Sequence, residues 1–571
     1  MVICLFCGKL REVIKGFGYF IMKKNMLTTV SSVLLASTLL SVLSACSSPL
    51  PSRFSTPINA ARLRSQSAAT VQQDLSRYSI GAAKNIIAAQ DPGAVTTNAR
   101  KGPDFKTPDW VRDAVFYQIF PERFHNGNPA NDPEGSEPWG SKPKLFNYMG
   151  GDLEGVIQKM DYLKDLGVNA IYFNPIFTAP TSNHKYNTAN YMEVDPAFGD
   201  MDTFRRLIKK AHSMGIKVVL DAVFNHSGDT HWAFQDAMKN GPSSKYWNWY
   251  LIHSFPVVQE PKPNYESWWG FASLPKFNEY NPEVREHLFK VAEFWAKEGI
   301  DGWRLDVPNE VRDMNFWREF RQRVKRINPD LYIVGEIWGD GSPWLQGDQF
   351  DAVMNYPFRE QVFNFLVEEK GNVDQFDWGL EGLRNQHPDS VTYTMFNVLG
   401  SHDTPRVMTM AKNDVNKVKM SALFQMTYVG TPVIYYGDEI GMRGEMDPDC
   451  RGAFPWNTAQ WDQNLRNYYK QLIALRNQYP VLRRGNFRSL MRHNNNRTFA
   501  YLREDSRDKI MVVMNNNTRP QDVAVETGRL NVPDGILTDL MDGKTFPIQG
   551  GQIVFSAMAP KTGRVLRWSA R

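Results

Sequence analysis

Cysteine is scarce in this chain of 571 residues. There are four, Cys4, Cys7, Cys46 and Cys450, and no disulfide framework can be built on them. Cys4 and Cys7 form a lone C-x-x-C with neither a second pair nor a nearby histidine, which is weak ground for a zinc site. An excess of one charge is also missing. Lys and Arg number 66 against 61 Asp and Glu, and no basic stripe with interleaved aromatics runs along the chain, so nothing argues for nucleic acid as a partner. Long apolar runs are absent but for one, Leu27 to Ala45, which carries no charge. Its eight Ser and Thr make it a mediocre membrane-spanning helix. What the chain does have is aromatic surface, with 16 Trp and 22 Tyr. Such rings fill cores, and they also stack on sugars. The apolar share of 42 % is that of an ordinary globular protein.

The uncharged run follows Met22-Lys23-Lys24-Asn25 and ends in Leu43-Ser44-Ala45-Cys46. A basic start, an apolar middle and small residues at the end form a secretory signal. The last four residues resemble a bacterial lipobox. That resemblance implies that Cys46 is lipidated, becomes the first residue and anchors the protein to a membrane of the cell envelope. Residues 1–21 then read as an upstream extension. Residues 47–105 are rich in Ser, Ala, Gln, Asn, Pro and Gly and read as a tether, with a weak helical pattern from Ala60 to Ala89.

From about Asp109 the pattern changes. Short β-branched and aromatic runs alternate with amphipathic stretches, the signature of βα units and a parallel sheet. Eight strands are expected: Val115–Phe120, Ala170–Asn174, Val218–Val223, Gly302–Val307, Tyr332–Ile337, Ala352–Tyr356, Thr392–Leu399 and Val433–Tyr436. Helices are expected at Leu153–Leu166, Met201–Met214 and Glu283–Glu298. The expected fold class is α/β, a (β/α)₈ barrel of the TIM type over residues 106–484. The interval after the third strand is too long for a simple loop, so residues 226–282 are expected to form an insertion subdomain. Residues 485–571 turn to short strands with Asn and Gly turns, as in an antiparallel sandwich.

Several predicted strands end in polar clusters: Asp221 to Asn225-His226, Arg304-Leu-Asp306, Gly335-Glu336 and Ser401-His402-Asp403. Carboxylates are rarely buried without a partner. Any one of them could be a satisfied structural group. Four strands ending in four carboxylates, two histidines and an arginine are hard to explain as packing. Without metal-ligand spacing, glycoside cleavage is the natural chemistry. One carboxylic acid protonates the leaving oxygen and one carboxylate attacks or activates water.

On these motifs the chain resembles the α-amylase superfamily over roughly residues 109–571, most of all its neopullulanase, cyclomaltodextrinase and maltogenic amylase branch. The superfamily motifs stand here as Asp221–His226, Gly302–Glu310, Gly335–Ile337 and Asn397–Asp403. Leu274-Pro-Lys-Phe-Asn278 resembles the branch marker. The resemblance implies that Asp306 is the nucleophile, Glu336 the general acid and base, and Asp403 the group that binds sugar hydroxyls. Arg304 would orient Asp306, Asp221 would support Arg304, His226 and His402 would bond the sugar, and Tyr186 would stack beneath it. It also implies retention of configuration, with a carboxyl separation of about 5–5.5 Å.

The segment Asn126-Gly-Asn128-Pro-Ala-Asn131-Asp132, with Gly150 and Asp152, resembles the branch's calcium loop. Its oxygen donors suit Ca²⁺, although Asn128 stands where a carboxylate is usual. Asn187 and Asn190 also replace the commoner carboxylates. The stretch of roughly 60 residues before the barrel is short for the extra β-domain through which the cyclodextrin-cleaving members dimerise, so a monomer is expected. The expected partner is an oligo- or polysaccharide α-glucan. A related α-glucosidase or transglycosylase would share every catalytic residue, and a silent glucan-binding envelope protein would have no need of all three carboxylates.

Overall fold

The computed structural model describes residues 105–528 and 535–570. The signal, Cys46 and the tether, with its expected helix, lie outside them. Eight parallel strands form the central sheet: β1 (Phe116–Ile119), β2 (Ala170–Phe173), β3 (Lys217–Ala222), β4 (Gly302–Leu305), β5 (Tyr332–Gly335), β6 (Ala352–Val353), β7 (Phe396–Val398) and β8 (Thr431–Tyr435). Their order is β6-β5-β4-β3-β2-β1-β8-β7. A parallel bridge between Met354 and Phe396 joins the two end strands and brings the ring to closure. Nearly every strand residue is buried, as expected when helices cover one face of a sheet and side chains fill the cylinder on the other.

Each predicted strand is present, six of them shorter than expected. The seventh begins only at Phe396, because Asp389–Thr392 form a helical turn. The stretch Leu153–Leu166 is two helices, Leu153–Gln158 and Met160–Leu166, broken at Lys159. The helix Met201–Ser213 starts on an Asp200 carboxylate that accepts from the Thr203 N–H, and Pro282–Lys297 starts on Asn281 with proline at its first position. The latter turns Val284, Leu288, Val291, Ala292 and Trp295 onto the barrel, all buried, at the spacing of one helix face.

The insertion after β3 holds the helix Trp232–Asn240 and the isolated bridges His226↔Lys276, Tyr250↔Phe277 and Ile252↔Tyr265. Trp232, Tyr246 and Trp249 pack edge to face within it, and Trp232 also meets His287 of the helix Pro282–Lys297.

The C-terminal strands are β9 (Asn486–His493), β10 (Thr498–Glu504), β11 (Lys509–Asn515), β12 (Gln521–Glu526), β13 (Gly535–Asp539), β14 (Thr545–Pro547), β15 (Gln552–Met558) and β16 (Thr562–Ala570). Six form the sheet β9-β10-β11-β16-β13-β14, and β12 pairs with β15. Alternation splits the large sheet between two cores. Phe499, Tyr501, Val512 and Met514 join the barrel's core. Ala500, Leu502, Met511 and Val513 meet Val523, Val525, Ile553 and Phe555 of the smaller sheet. Arg503 is buried and donates to the carbonyls of Thr427, Leu482 and Gly485, pinning the sheet to the barrel.

Candidate active site

The polar residues at the strand ends meet. Asp221 of β3 lies in register with Arg304 of β4, and Arg304 and Asp306, two apart, lean to one side. Arg304 Nη1 donates to both Asp221 oxygens at 2.9 Å and to Asp306 Oδ1 at 3.0 Å. Its Nη2 lies 3.0 Å from Glu336 Oε2. One fully buried guanidinium thus spans three carboxyl groups from β3, the end of β4 and the end of β5. Its burial is tolerable only because of them.

Asp403 completes the set. Its Oδ2 lies 3.1 Å from His402 Nε2 and its Oδ1 3.1 Å from Arg451 Nη2. Tyr186 is the hub between the two halves. Its hydroxyl is 2.8 Å from Asp221 Oδ2, 2.8 Å from His402 Nε2 and 2.9 Å from Asn174 Nδ2. Its ring lies nearly parallel to that of His402, with centroids 5.4 Å apart. The residues Asp306, Glu336, Asp403, Tyr186, Asp221, Arg304 and His402, spread over more than two hundred positions, form one network. His226 stands beside it. Its Nδ1 is 3.1 Å from Asn225 Nδ2, its ring stacks on Trp268 at 5.9 Å, and its Nε2 is buried without a protein partner. An orphaned ring nitrogen is free to bond a ligand hydroxyl.

Several contributors carried little or no signal in the sequence. Gln118, at the end of β1, links His402 Nδ1 at 2.9 Å to Asn174 Oδ1 at 3.0 Å. Gln118 and Asn174 are polar residues on apolar strands, the same sign that marked the carboxylates. The Tyr172 hydroxyl donates to Asp221 Oδ2 at 2.8 Å. Arg451 comes from an irregular segment after β8, where no periodicity could point to it. Val307 acts through its backbone: φ is +35°, a left-handed conformation that a β-branched residue before proline resists. That strained geometry directs its N–H onto Glu336 Oε2 at 3.0 Å, and costs of order 1–3 kcal/mol elsewhere compensated.

The electrostatics couple the two carboxyls beside Arg304. Burial pushes the Glu336 carboxyl up to about 7; Arg304 opposes this and Asp403 adds to it. Burial also raises Asp306, with Glu336 and Asp221 adding and Arg304 opposing. The pair therefore keeps a proton near neutral pH and titrates as a unit. Arg304 donates to Asp306 at 3.0 Å and its other nitrogen lies 3.0 Å from Glu336, so the one guanidinium opposes protonation of both carboxyls. For Asp403, burial is outweighed by His402, Arg451 and Arg304, and the carboxyl is held below its usual range. Burial brings His402 and His226 down to about 3, so both imidazoles are neutral and can each donate and accept one hydrogen bond.

Two buried, coupled carboxyls that keep a proton near neutral pH between them are what displacement at an acetal carbon requires. Fold and site together define a glycoside hydrolase. The chain belongs to the α-amylase family: the model of the alpha amylase catalytic domain matches residues 118–485, and that of the maltogenic amylase C-terminal domain matches residues 487–564. It is 47 % identical over 464 residues to a cyclomaltodextrinase of Geobacillus thermopakistaniensis, covering 81 % of this chain and 78 % of that one. It is 47 % identical over 476 residues to neopullulanase 2 of Thermoactinomyces vulgaris, covering 82 % and 79 %. Among solved structures, the cyclic α-maltosyl-(1→6)-maltose hydrolase of Arthrobacter globiformis, in complex with that sugar, superposes with a TM-score of 0.74 at 40 % identity, covering 81 % of this chain and 99 % of that one.

The residues expected to form a calcium loop fall into two sets of contacts. Asn126 Nδ2 donates to both Asp132 oxygens at 2.9 Å. Gly150, at φ +82°, sits so close to Asn126 and Asp132 that a Cβ there would collide with both. Asn126 Oδ1 and Asn131 Oδ1 are buried without a hydrogen-bond donor. Asp152 caps the helix Leu153–Gln158: Oδ1 accepts from the Gly127 and Gly155 N–H groups and Oδ2 from that of Asn128 at 2.8 Å. The Asn128 side chain accepts from Ala130 N at 3.3 Å. Two orphaned amide oxygens beside a carboxylate fit a hard cation.

Proposed function

We propose that this protein hydrolyses α-glucosidic bonds of maltodextrin, pullulan, cyclodextrin and starch fragments, with retention of configuration. One observation carries it: Asp306 and Glu336 both lie 3.0 Å from the same Arg304 guanidinium, close enough to act on one sugar carbon. Glu336 gives its proton to the glycosidic oxygen as the bond from that oxygen to C1 breaks and Asp306 Oδ bonds C1. Glu336, now a carboxylate, takes a proton from water as the water oxygen attacks C1 and Asp306 departs. Asp403 and the neutral His402 and His226 bond the sugar hydroxyls, and Tyr186 supports the ring from below. The substrates named for the cyclomaltodextrinase and neopullulanase relatives support this choice. Incubating the full chain with pullulan, β-cyclodextrin, maltotriose and sucrose in parallel, and identifying the products, tests it. Smaller glucans are expected from the first three. New products from none of the four would overturn the proposal, and products longer than the substrate would recast the enzyme as a transglycosylase.

Calcium held by Asn126, Asn128, Asn131, Asp132, Gly150 and Asp152 deepens the same reading. The ion would satisfy the two orphaned amide oxygens and tie the loop to the helix that Asp152 caps. Excess chelator is expected to lower the thermal midpoint by several degrees, and added Ca²⁺ to restore it, as for any ligand that binds the folded state alone. A midpoint that ignores both would remove the ion from the account. The lipobox-like Leu43–Cys46 supports a further part of the proposal, export and lipid anchoring at Cys46. A mature protein found to start elsewhere, or without the mass of acyl chains, would dismiss it.

A further inference from the structure

Glu336 has two oxygens in unlike surroundings. Oε2 faces the Val307 N–H at 3.0 Å and the Arg304 guanidinium at 3.0 Å. A proton on Oε2 would point at a donor and a positive charge. Oε1 has a different neighbour: the indole N–H of Trp338, two residues on, donates to it at 3.2 Å. Trp338 is half exposed, yet it is not loose. Its ring lies on that of Tyr356, with centroids 3.8 Å apart and planes within 5°. Tyr356 is itself buried. It opens the helix Tyr356–Val362, whose first turn is capped by Asn355, and Asn355 also bonds Asn397 at 2.8 Å. The Tyr356 hydroxyl is 3.4 Å from Ser401 Oγ, which accepts from the Asp403 N–H at 3.2 Å.

We propose that Oε1 is the oxygen of Glu336 that carries the catalytic proton, and that Trp338 is a positioning residue whose N–H holds that oxygen and stabilises it once the proton has left. The protonated Oε1 can accept from the indole through one lone pair, which leaves its O–H aimed away from Trp338, toward the leaving oxygen. When the proton passes to that oxygen, the negative charge appears on Oε1 with a donor already in place. The hydrogen bond strengthens as the charge develops, so it favours the transition state over the ground state. The stack on Tyr356 supplies the rigidity, since an exposed indole alone would wander. Through Tyr356 and Ser401 the same strut reaches the backbone of Asp403, so the acid and the third carboxylate are set by one frame.

The inference rests on Glu336 being the acid, and the test separates the two. Trp338→Phe keeps an aromatic face for Tyr356 and removes only the donor. A donor to the ionised carboxylate favours ionisation, so its loss raises the group's pKa. In Trp338→Phe the alkaline limb of kcat/KM is expected to move up by about one pH unit. Turnover of maltotriose is expected to fall about tenfold. Hydrolysis of 4-nitrophenyl α-maltoside, whose leaving group needs little protonation, is expected to change little. An unmoved limb, with equal losses on both substrates or none on either, overturns the proposal and leaves Trp338 as a wall of the cleft. Tyr356→Leu provides a second route: with its platform gone, Trp338 should show the same leaving-group-dependent loss, and equal losses on both substrates count against the strut. Glu336→Gln is the control, because full activity on maltotriose there would sink the acid assignment itself.

Discussion

Asp306→Asn is expected to leave a folded protein with no measurable action on maltotriose or pullulan, a loss of roughly 10⁴–10⁶-fold in kcat if nucleophile removal costs here what it does in other covalent mechanisms. The amide has the shape of the carboxyl and can still accept the Arg304 hydrogen bond at 3.0 Å, so the guanidinium keeps a partner and stability should change little. What disappears is the negative charge that makes the side-chain oxygen nucleophilic toward C1. Substrate binding should survive, because Asp403, His402, His226 and Tyr186 are untouched. Calorimetric titration of the variant with maltotriose, beside a product assay, checks both halves. Substantial residual hydrolysis would end the assignment of Asp306, and with it the double displacement.

Glu336→Gln is expected to divide substrates by leaving group. Maltotriose turnover should fall by about 10²–10⁴-fold, the worth of a general acid. An aryl α-maltoside with an acidic phenol should still react with Asp306 in a first turnover and then stall as glycosyl-enzyme, since no base remains to activate water. Azide needs no such base and should restore turnover. In the parent enzyme the same group governs pH. The acid works while protonated, and burial holds its carboxyl up to about 7. Activity on natural glucans should therefore decline as pH rises through that value. A rate that climbs steadily from pH 6 to 9 would contradict the assignment.

The two arguments differ in how far the chain alone supports them. Arg304 and Asp306 are two apart on one strand, and the alternation of a β-strand is enough to place them on one side. The pairing of Asp221 with Arg304 needed strand register, which no local pattern contains. The eight apolar runs marked the barrel strands because buried parallel strands have few alternatives in composition. Their ends were less legible: the seventh strand yields to a helical turn at Asp389–Thr392, where tertiary contacts override a β-branched segment. Trp338 lay two residues from a recognised carboxylate and still gave no sign of its role, since the role depends on Tyr356 approaching from the next strand's end.

Residue order alone settled the chemistry available to this protein: which strands end in carboxylates, which carry the arginine and the histidines, and where the helical and sheet periodicities change. These are local properties, read within a few residues of chain. The coupling of Asp306 to Glu336 came only with folding. Both are carboxyl side chains with nearly the same affinity for a proton in water, and it is burial around one shared guanidinium that raises both and couples them.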